Sequence, residues 1–196
     1  MPGVTRAGRE GAVMRYSKEH AAEVRRRLLR QGGKHVKERG LNGAGVDGIA
    51  GSAGLTGAAL YRHFRSKEAF LIEMLGDEIE RNTIALLAAH DALEGVLAAY
   101  LSPAHVQSPQ AGCPLPSLVA DVGRGESALQ EALSSSLSAV EERVAALLDE
   151  PDKALGVIAA ALGAVSLARA MPDAERAQAV LDATRAMILA GVSSAD

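Results

Sequence analysis

The chain of 196 residues carries a formal net charge of −3 and is 48% hydrophobic, so it can bury a sizeable core without disulfides or structural metals. Its single cysteine, Cys113, excludes an intramolecular disulfide, and no stretch resembles a secretory signal, so we expect a cytoplasmic protein. The most apolar run, from Leu155 to Ala168, is shorter than the roughly 20 residues of a membrane-spanning helix.

Charge is distributed unevenly along the chain. Residues 1–75 contain 14 Lys and Arg against 7 Asp and Glu, whereas residues 76–196 contain 7 against 17. A basic N-terminal part favours contact with nucleic acid, although basic runs also occur on solvated helix faces.

The first predicted helix runs from Ser17, its N-cap, to Gly40, its terminator. Its Gly32 and Gly33 each cost about 1 kcal/mol relative to alanine, so we expect a helix weaker than its length suggests. Residues 1–15 show no apolar periodicity, which predicts a disordered arm or an upstream start ahead of Met14. The apolar face of the helix is predicted to consist of Ala21, Val24, Leu28 and Val36.

Two brief helices are predicted next, at 46–52 and 56–64, and the connection between them is short. Gly54 supplies a turn residue that tolerates positive φ, and Ser66 begins a further helix that extends to about His90. The apolar residues at helical spacing in that helix are Phe70, Leu71, Met74, Leu75 and Ile79.

The rest of the chain predicts helices with one irregular interruption, from Ser102 to Pro116, where four prolines oppose regular hydrogen bonding. No strand pattern occurs, so the predicted fold class is all-α, with about nine helices. The later helices are predicted at 91–101, 117–123, 126–148, 153–170 and 173–191. The 126–148 helix carries an apolar stripe of Leu129, Leu133, Leu137, Val140, Val144, Leu147 and Leu148.

Residues 46–64 meet the requirements of a helix-turn-helix. Ala50 is small where the two helices would cross, Gly54 permits the turn, and apolar side chains fix the angle between the helices. Leu60 and Phe64 are spaced i and i+4 and share one face, which turns the three residues between them outward.

Candidate DNA contacts surround the second of these helices. Its N-terminus, capped by Thr56, would enter the major groove with small side chains that permit close approach and methyl contacts with thymine. The outward phenol, guanidinium and imidazole, together with Lys67 of the next helix, can donate to phosphate oxygens. The predicted DNA-binding residues are Thr56, Gly57, Ala58, Ala59, Tyr61, Arg62, His63 and Lys67.

The segment from about Ser17 to Leu75 resembles the DNA-binding domain of the TetR family of repressors. The resemblance rests on Gly40, Ile49-Ala50, Ala53-Gly54-Leu55-Thr56, Leu60-Tyr61-Arg62-His63-Phe64 and Ser66-Lys67-Glu68. It implies a homodimer that binds a palindromic double-stranded DNA operator and leaves it when a small-molecule inducer binds a C-terminal domain. It also implies phosphate contacts by Tyr61, His63 and Lys67 and base contacts by residues 56–59.

The resemblance divides the chain into three parts. We expect an arm over residues 1–15, a helix-turn-helix domain over 16–66 and a helical effector-binding and dimerisation domain over 67–196. Gly45 departs from the family pattern, because Ser or Thr usually caps the second helix there.

The last two predicted helices are nearly all small or aliphatic, and a helix that is apolar all round must be buried against two partners. One side would meet a ligand cavity and the other a second subunit; the alternative is an ordinary monomeric core. The predicted dimerisation residues are Ile158, Leu162, Val165, Val180, Leu181, Thr184, Met187 and Ile188.

Candidate ligand-pocket residues are Tyr100, His105, Cys113 and Arg124, with His90 a further candidate. The alternative interpretation makes the histidines surface or loop residues and Arg124 a solvated helix end. Because the chain has three Tyr, two Phe and no Trp, its composition favours a small, mostly apolar ligand over a planar aromatic one.

Two other functions stay open at this point. Cys113 could sense oxidants or electrophiles, which requires an exposed and activated thiolate, although a free cysteine is usually a small buried hydrophobe. A helical-bundle adaptor would account for the helices but not for the outward cluster beside the turn. No phosphate-binding glycine loop, Cys/His metal spacing or nucleophile elbow occurs, so we expect no catalysis, no cofactor and no metal.

Overall fold

A computed structural model describes residues 18–193, which fold into ten α-helices without a strand in that range. The all-α prediction is therefore confirmed, with one helix more than expected. Ser17 and the predicted arm over 1–15 lie outside the described residues. The helices are α1 (18–43), α2 (Val46–Ser52), α3 (Gly57–His63), α4 (67–88), α5 (Leu93–Tyr100), α6 (Pro103–Gln107), α7 (Leu115–Gly123), α8 (Ser127–Ala145), α9 (Ala154–Arg169) and α10 (Ala174–Val192).

Helix α1 ends its regular course at Gly40, whose φ of 73° suits only a residue without a side chain, as predicted. Leu28 and Val36 are buried and Val24 is half-buried, in agreement with the predicted apolar face. Ala21, expected on that face, is instead exposed, because α1 extends beyond the core at this end.

The paired glycines of α1 lie where α4 packs against it. A Cβ on Gly32 would come within 2.7 Å of Phe70 Cζ, and a Cβ on Gly33 within 2.9 Å of Glu78 Oε1. Glycine therefore permits an approach that alanine would block, and this close packing offsets the low helix propensity.

Helix α4 is the long connection between the N-terminal helices and the rest of the molecule. Ser66 caps it by accepting a hydrogen bond from the Ala69 amide at 3.0 Å, as the sequence predicted. Its geometry changes from α-helical over Lys67–Glu78 to π-helical over Ile79–Ile84 and back over Ala85–Ala88. The five predicted apolar residues of α4 are all buried: Phe70, Leu71, Met74, Leu75 and Ile79.

The predicted irregular interruption over 102–116 is wrong at both ends. Pro103 occupies the first turn of α6, where its missing amide hydrogen costs nothing, and Ser102 Oγ accepts from the His105 amide at 3.2 Å. Pro116 likewise lies in the first turn of α7, which begins at Leu115. Irregular backbone is confined to 108–114.

Helix α9 is the central element of the C-terminal half. The segment Pro151–Arg169 is, by length and composition, apolar enough to cross a membrane, with a mean hydropathy of 1.4. In this fold α9 packs against α7, α8 and α10, with Val157, Ala161 and Val165 buried between them. An apolar core helix of this kind passes the same test of length and composition.

Candidate nucleic-acid interface and effector cavity

The turn between α2 and α3 has the geometry of a helix-turn-helix. Gly54 adopts a φ of 68°, and the Leu55 amide donates to the Ala50 carbonyl at 2.9 Å. Ile49, Ala50 and Leu60 are completely buried, which fixes the crossing of the two helices. Gly45 occupies the N-cap position of α2 without a side chain to cap it, as its sequence indicated.

Helix α3 exposes the side chains that were predicted to face DNA. Tyr61 is 55% exposed, and Arg62 beside it is also exposed. Thr56 occupies the N-cap position but its hydroxyl makes no cap hydrogen bond, so this exposed group is available to a ligand. Ala58 is exposed and Ala59 half-buried, so the N-terminus of α3 presents small side chains.

His63 lies at the C-terminal end of α3 and is half-buried. Burial lowers the pKa of His63, and the positive charges of Arg25 and Arg62 lower it further. The imidazole is therefore neutral at pH 7, and one of its ring nitrogens can donate a hydrogen bond without adding charge.

Two of the predicted contact residues have structural partners of their own. Gly57 is buried against α2, where a Cβ would lie 3.2 Å from Val46 Cγ1, so it brings α3 close to α2. Lys67 Nζ donates to the Leu41 carbonyl at 2.8 Å, which joins the start of α4 to the end of α1.

Arg25 of α1 braces the end of α3, a contact that the sequence interpretation missed. Its guanidinium lies 4.3 Å from the centroid of the Phe64 ring and donates to both carboxylate oxygens of Glu73, at 2.5 and 2.6 Å. Phe64 in turn meets Phe70 edge-on, with 5.1 Å between centroids. Because Glu73 is 48 residues from Arg25, no local pattern signals the pair.

An apolar cavity of about 50 Å³ lies in the C-terminal half, between α4, α5, α7, α8 and α9. Of the predicted pocket residues, Tyr100 and Cys113 line it, whereas His105 lines an adjoining cleft that shares these two residues. Arg124 lies elsewhere, exposed and paired with Asp121 at 2.7 Å. His90, a further candidate, lines neither space.

Cys113 does not have the environment of a reactive thiolate. It is buried, and burial raises the pKa of its thiol. Burial also raises the pKa of the neighbouring Tyr100 phenol well above its ordinary value. Both groups are therefore neutral at pH 7, which is the opposite of what thiolate-based sensing requires.

His105 holds the cleft in shape. Its Nδ1 lies 2.7 Å from the Tyr100 carbonyl, so this nitrogen carries the proton, and the two rings lie 4.5 Å apart between centroids. Arg169 donates to the His105 carbonyl at 3.1 Å and to Ser117 Oγ at 3.0 Å. Burial lowers the pKa of His105; the hydrogen bond to the Tyr100 carbonyl opposes this, and the charges of Arg169 and Lys37 lower the pKa further.

A buried ion pair joins the N-terminal helices to the wall of this cavity. Lys37 of α1 pairs with Glu78 of α4, and the two side chains are only 1% and 2% exposed. Lys37 Nζ also donates to the Gly112 carbonyl at 3.0 Å, in the segment that leads to Cys113. Burial lowers the pKa of Lys37, which its partner Glu78 opposes.

The predicted dimerisation residues divide into three groups. Val165, Leu181 and Ile188 are buried within the chain itself. Ile158 and Leu162 line the cavity. Val180 and Thr184 are half-buried, whereas Met187 is 59% exposed.

Helices α9 and α10 do not bury all of their apolar surface. Five large hydrophobic side chains are exposed in residues 18–193, and three of them are Leu155 and Leu167 of α9 and Met187 of α10. The exposed large apolar residues of α9 are therefore Leu155 and Leu167, whereas the sequence predicted Ile158, Leu162 and Val165 for the dimer interface.

Nothing in residues 18–193 groups three His, Cys, Asp or Glu side chains around a possible metal ion.

Comparison with known proteins connects these features to a family. The family model described as bacterial regulatory proteins, tetR family, matches residues 28–74, which contain α2, α3 and the facing parts of α1 and α4. No curated protein matches the chain.

Solved structures resemble the chain over most of its length. A TetR-family transcriptional regulator from Cytophaga hutchinsonii has a TM-score of 0.72 at 18% identity, covering 90% of this chain and 98% of the other. A second, from Agrobacterium tumefaciens, has a TM-score of 0.70 at 15% identity, covering 89% and 100%. Reduced NemR from E. coli has a TM-score of 0.63 at 24% identity, covering 83% and 95%. At these identities the likeness establishes the fold.

Proposed function

We propose, from the premise that this chain is a TetR-family transcriptional regulator, that it represses transcription by binding a palindromic operator as a homodimer and leaves the operator when a small, mostly apolar ligand binds. The observation that carries the proposal is the exposure of Tyr61 and Arg62 on α3 while Leu60 of the same helix and Phe64 at its C-cap are buried. Such a helix can enter the major groove with its N-terminus while its flanking donors contact phosphates.

Dimerisation is proposed through α9 and α10. These adjacent helices expose Leu155, Leu167 and Met187, apolar side chains whose burial by a second copy would be favourable. Two copies would carry two α3 helices, and a palindromic site requires them about 34 Å apart, one turn of DNA.

Release by a ligand is proposed through the cavity. Its wall includes Cys113 and Leu115, and Gly112 just before them accepts a hydrogen bond from Lys37 of α1. A ligand that displaces this wall would bind more tightly to the protein in one arrangement of its N-terminal helices than in another. Ligand binding would then shift the population towards that arrangement.

The test is a gel shift with DNA from upstream of the coding region and with a selected pool of random duplexes, each at two salt concentrations. We expect salt-sensitive binding because phosphate contacts release counterions. Tyr61→Phe and Lys67→Ala should weaken binding to all duplexes alike, and Thr56→Ala should change the preferred sequence. For Lys67→Ala, unfolding is measured alongside, since Lys67 also bonds to Leu41.

Ser138→Ala is the matched control. Ser138 is an exposed hydroxyl on α8, far along the chain from the turn, and its loss should leave DNA affinity unchanged. A folded dimer with no affinity for any duplex in the pool would refute the proposal.

A further inference from the structure

Thr83 of α4 has a buried hydroxyl without an oxygen or nitrogen partner; the thiol of Cys113, a weak hydrogen-bonding group, is its polar neighbour. The residue is 6% exposed, and Thr83 Oγ1 is the one buried side-chain oxygen or nitrogen in residues 18–193 that makes no hydrogen bond there. A buried polar atom left unpaired costs about 1–3 kcal/mol, so its presence in a core position calls for a reason.

The hydroxyl belongs to the wall of the apolar cavity. Thr83, Tyr100 and Cys113 contribute the polar side-chain atoms of the lining, and the remainder is aliphatic. Tyr100 and Cys113 are neutral, as their raised pKa values indicate. The aliphatic lining residues are Leu86, Leu87, Leu93, Val96, Leu97, Leu115, Val140, Val144, Val157, Ile158, Ala161 and Leu162.

No charged side chain lines the cavity. Outside the lining, Lys37 pairs with Glu78, and Arg81 donates to Glu78 at 2.5 Å and to Asp77 at 2.9 Å. The Arg169 guanidinium has no carboxylate partner, but each of its nitrogens donates to a backbone carbonyl or to Ser117. An ionised ligand would therefore lose its hydration without contacting a counter-charge in the lining, which disfavours it strongly.

We infer that the cavity binds an uncharged aliphatic molecule with a single hydroxyl or carbonyl oxygen, and that this oxygen hydrogen-bonds to Thr83. The inference deepens the proposed function, on which its regulatory consequence rests, by naming the chemical class of the ligand. Thr83 can hydrogen-bond to a ligand hydroxyl or to a ligand carbonyl, because its own hydroxyl donates one hydrogen and accepts through two lone pairs.

The size of the cavity limits the ligand further. A space of about 50 Å³ accommodates a few heavy atoms, so anything longer than a short chain must displace the walls. Thr83 lies within the π-helical stretch Ile79–Ile84, a departure from α geometry of the kind that often marks functional sites. A ligand bound to Thr83 thus contacts the part of α4 that immediately follows Glu78.

The experiment measures binding of 1-butanol, 2-butanone, 1-chlorobutane and butyrate to the full chain by NMR titration. We expect 1-butanol and 2-butanone to bind and butyrate not to bind. Thr83→Val keeps the shape but removes the hydroxyl; it should raise the Kd of both oxygen-bearing probes about fivefold to tenfold, the loss of one hydrogen bond, while 1-chlorobutane binds as before. Thr83→Ser should retain binding of 1-butanol.

Two controls separate the hydroxyl from general effects. Ser138→Ala removes a hydroxyl from the exposed surface of α8, at a position that does not line the cavity, and should leave every Kd unchanged. Thr83→Val should also raise the midpoint of thermal unfolding, because an unpaired hydroxyl is replaced by a methyl group.

Equal Kd values for 1-butanol in the wild type and Thr83→Val would overturn the role of Thr83. Tighter binding of butyrate than of 1-butanol, or no binding of any probe, would overturn the ligand class. A gel shift on the same samples distinguishes these failures from failure of the proposed function: DNA binding that persists leaves the regulator intact and removes only the inference about its ligand.

Discussion

At the scale of single residues, Gly32 is where α1 comes closest to the aromatic core of the N-terminal helices. A Cβ there would lie 2.7 Å from Phe70 Cζ and 2.9 Å from Ile49 Cγ2. Both side chains are completely buried, and Phe70 is held edge-on against Phe64, so neither can yield without disturbing its neighbours.

Gly32→Ala should therefore lower the free energy of unfolding by about 1–3 kcal/mol, the usual cost of overpacking, despite alanine's better helix propensity. Urea unfolding followed by circular dichroism measures the change. Gly76→Ala on α4 is the matched control, because a Cβ there meets nothing within 4 Å, and it should stabilise the protein by up to about 1 kcal/mol. A stabilising Gly32→Ala would contradict the packing argument.

Residue-level prediction succeeded where the signal was local. The i, i+4 spacing of Leu60 and Phe64 predicted that both are buried and that Tyr61 is exposed, and each is so. Thr83 gave no such signal, since its significance depends on a cavity assembled from five helices. Gly57 was assigned to base contact from its position alone, whereas its burial against α2 also gives it a packing role.

At the scale of elements, α7 holds the end of α1 through a single carboxylate. Asp121 Oδ2 accepts from the Leu41 amide at 2.9 Å, immediately after Gly40 ends the regular helix. The same carboxyl group accepts from Arg124 through its other oxygen at 2.7 Å. Asp121 of α7 thus caps the end of α1 by accepting the hydrogen bond from the Leu41 amide.

Asp121→Ala should lower the unfolding free energy by about 1–3 kcal/mol, because it leaves the partly buried Leu41 amide without its acceptor. Arg124→Ala removes only an exposed ion pair and should change stability by less than about 1 kcal/mol. Chemical denaturation of both variants measures the difference. Equal losses in the two variants would mean that the ion pair, and not the cap, stabilises this junction.

Element boundaries were predictable where capping residues are unambiguous. Ser66 and Gly40 mark the start of α4 and the end of the regular part of α1, and both positions were predicted. Helix α6 was not predicted because proline inside a helix usually breaks it. Pro103 lies in the first turn of α6, where proline is compatible with a helix. The apolar periodicity of the sequence does not indicate the π-helical stretch of α4, so that stretch was not predicted.

At the scale of the whole molecule, three of the five exposed large hydrophobic side chains in residues 18–193 lie on two adjacent helices. Leu167 is 56% exposed on α9, and Met187 is exposed on α10, which packs beside it. A charge introduced at either position would be buried without a partner if a second subunit covered it.

Leu167→Glu and Met187→Glu should each convert a dimer into a monomer, measured by sedimentation, and should weaken binding to a palindromic duplex by more than tenfold. Ser138→Glu on the exposed surface of α8 is the control and should leave both properties unchanged. A dimer that persists in both glutamate variants would show that another surface joins the subunits.

The general architecture followed from composition and periodicity, which indicate an all-α fold and a basic N-terminal part. Which sides of α9 and α10 are buried did not follow, because α9 is apolar nearly all round and several neighbours could cover each side of either helix. Val165, Leu181 and Ile188 were assigned to a second subunit but are buried within the chain.

The Lys37–Glu78 pair has a consequence for how the two halves can move. Lys37 is bound at once to α4 and to the Gly112 carbonyl, and its side chain is only 1% exposed. A small, gradual displacement of residues 108–114 would strand a buried ammonium group without one of its acceptors, which is costly at every intermediate step. The contact between α1, α4 and residues 108–114 therefore favours a few discrete arrangements over a continuous range. A displacement of residues 108–114 would move α1 from one arrangement to another or leave it in place.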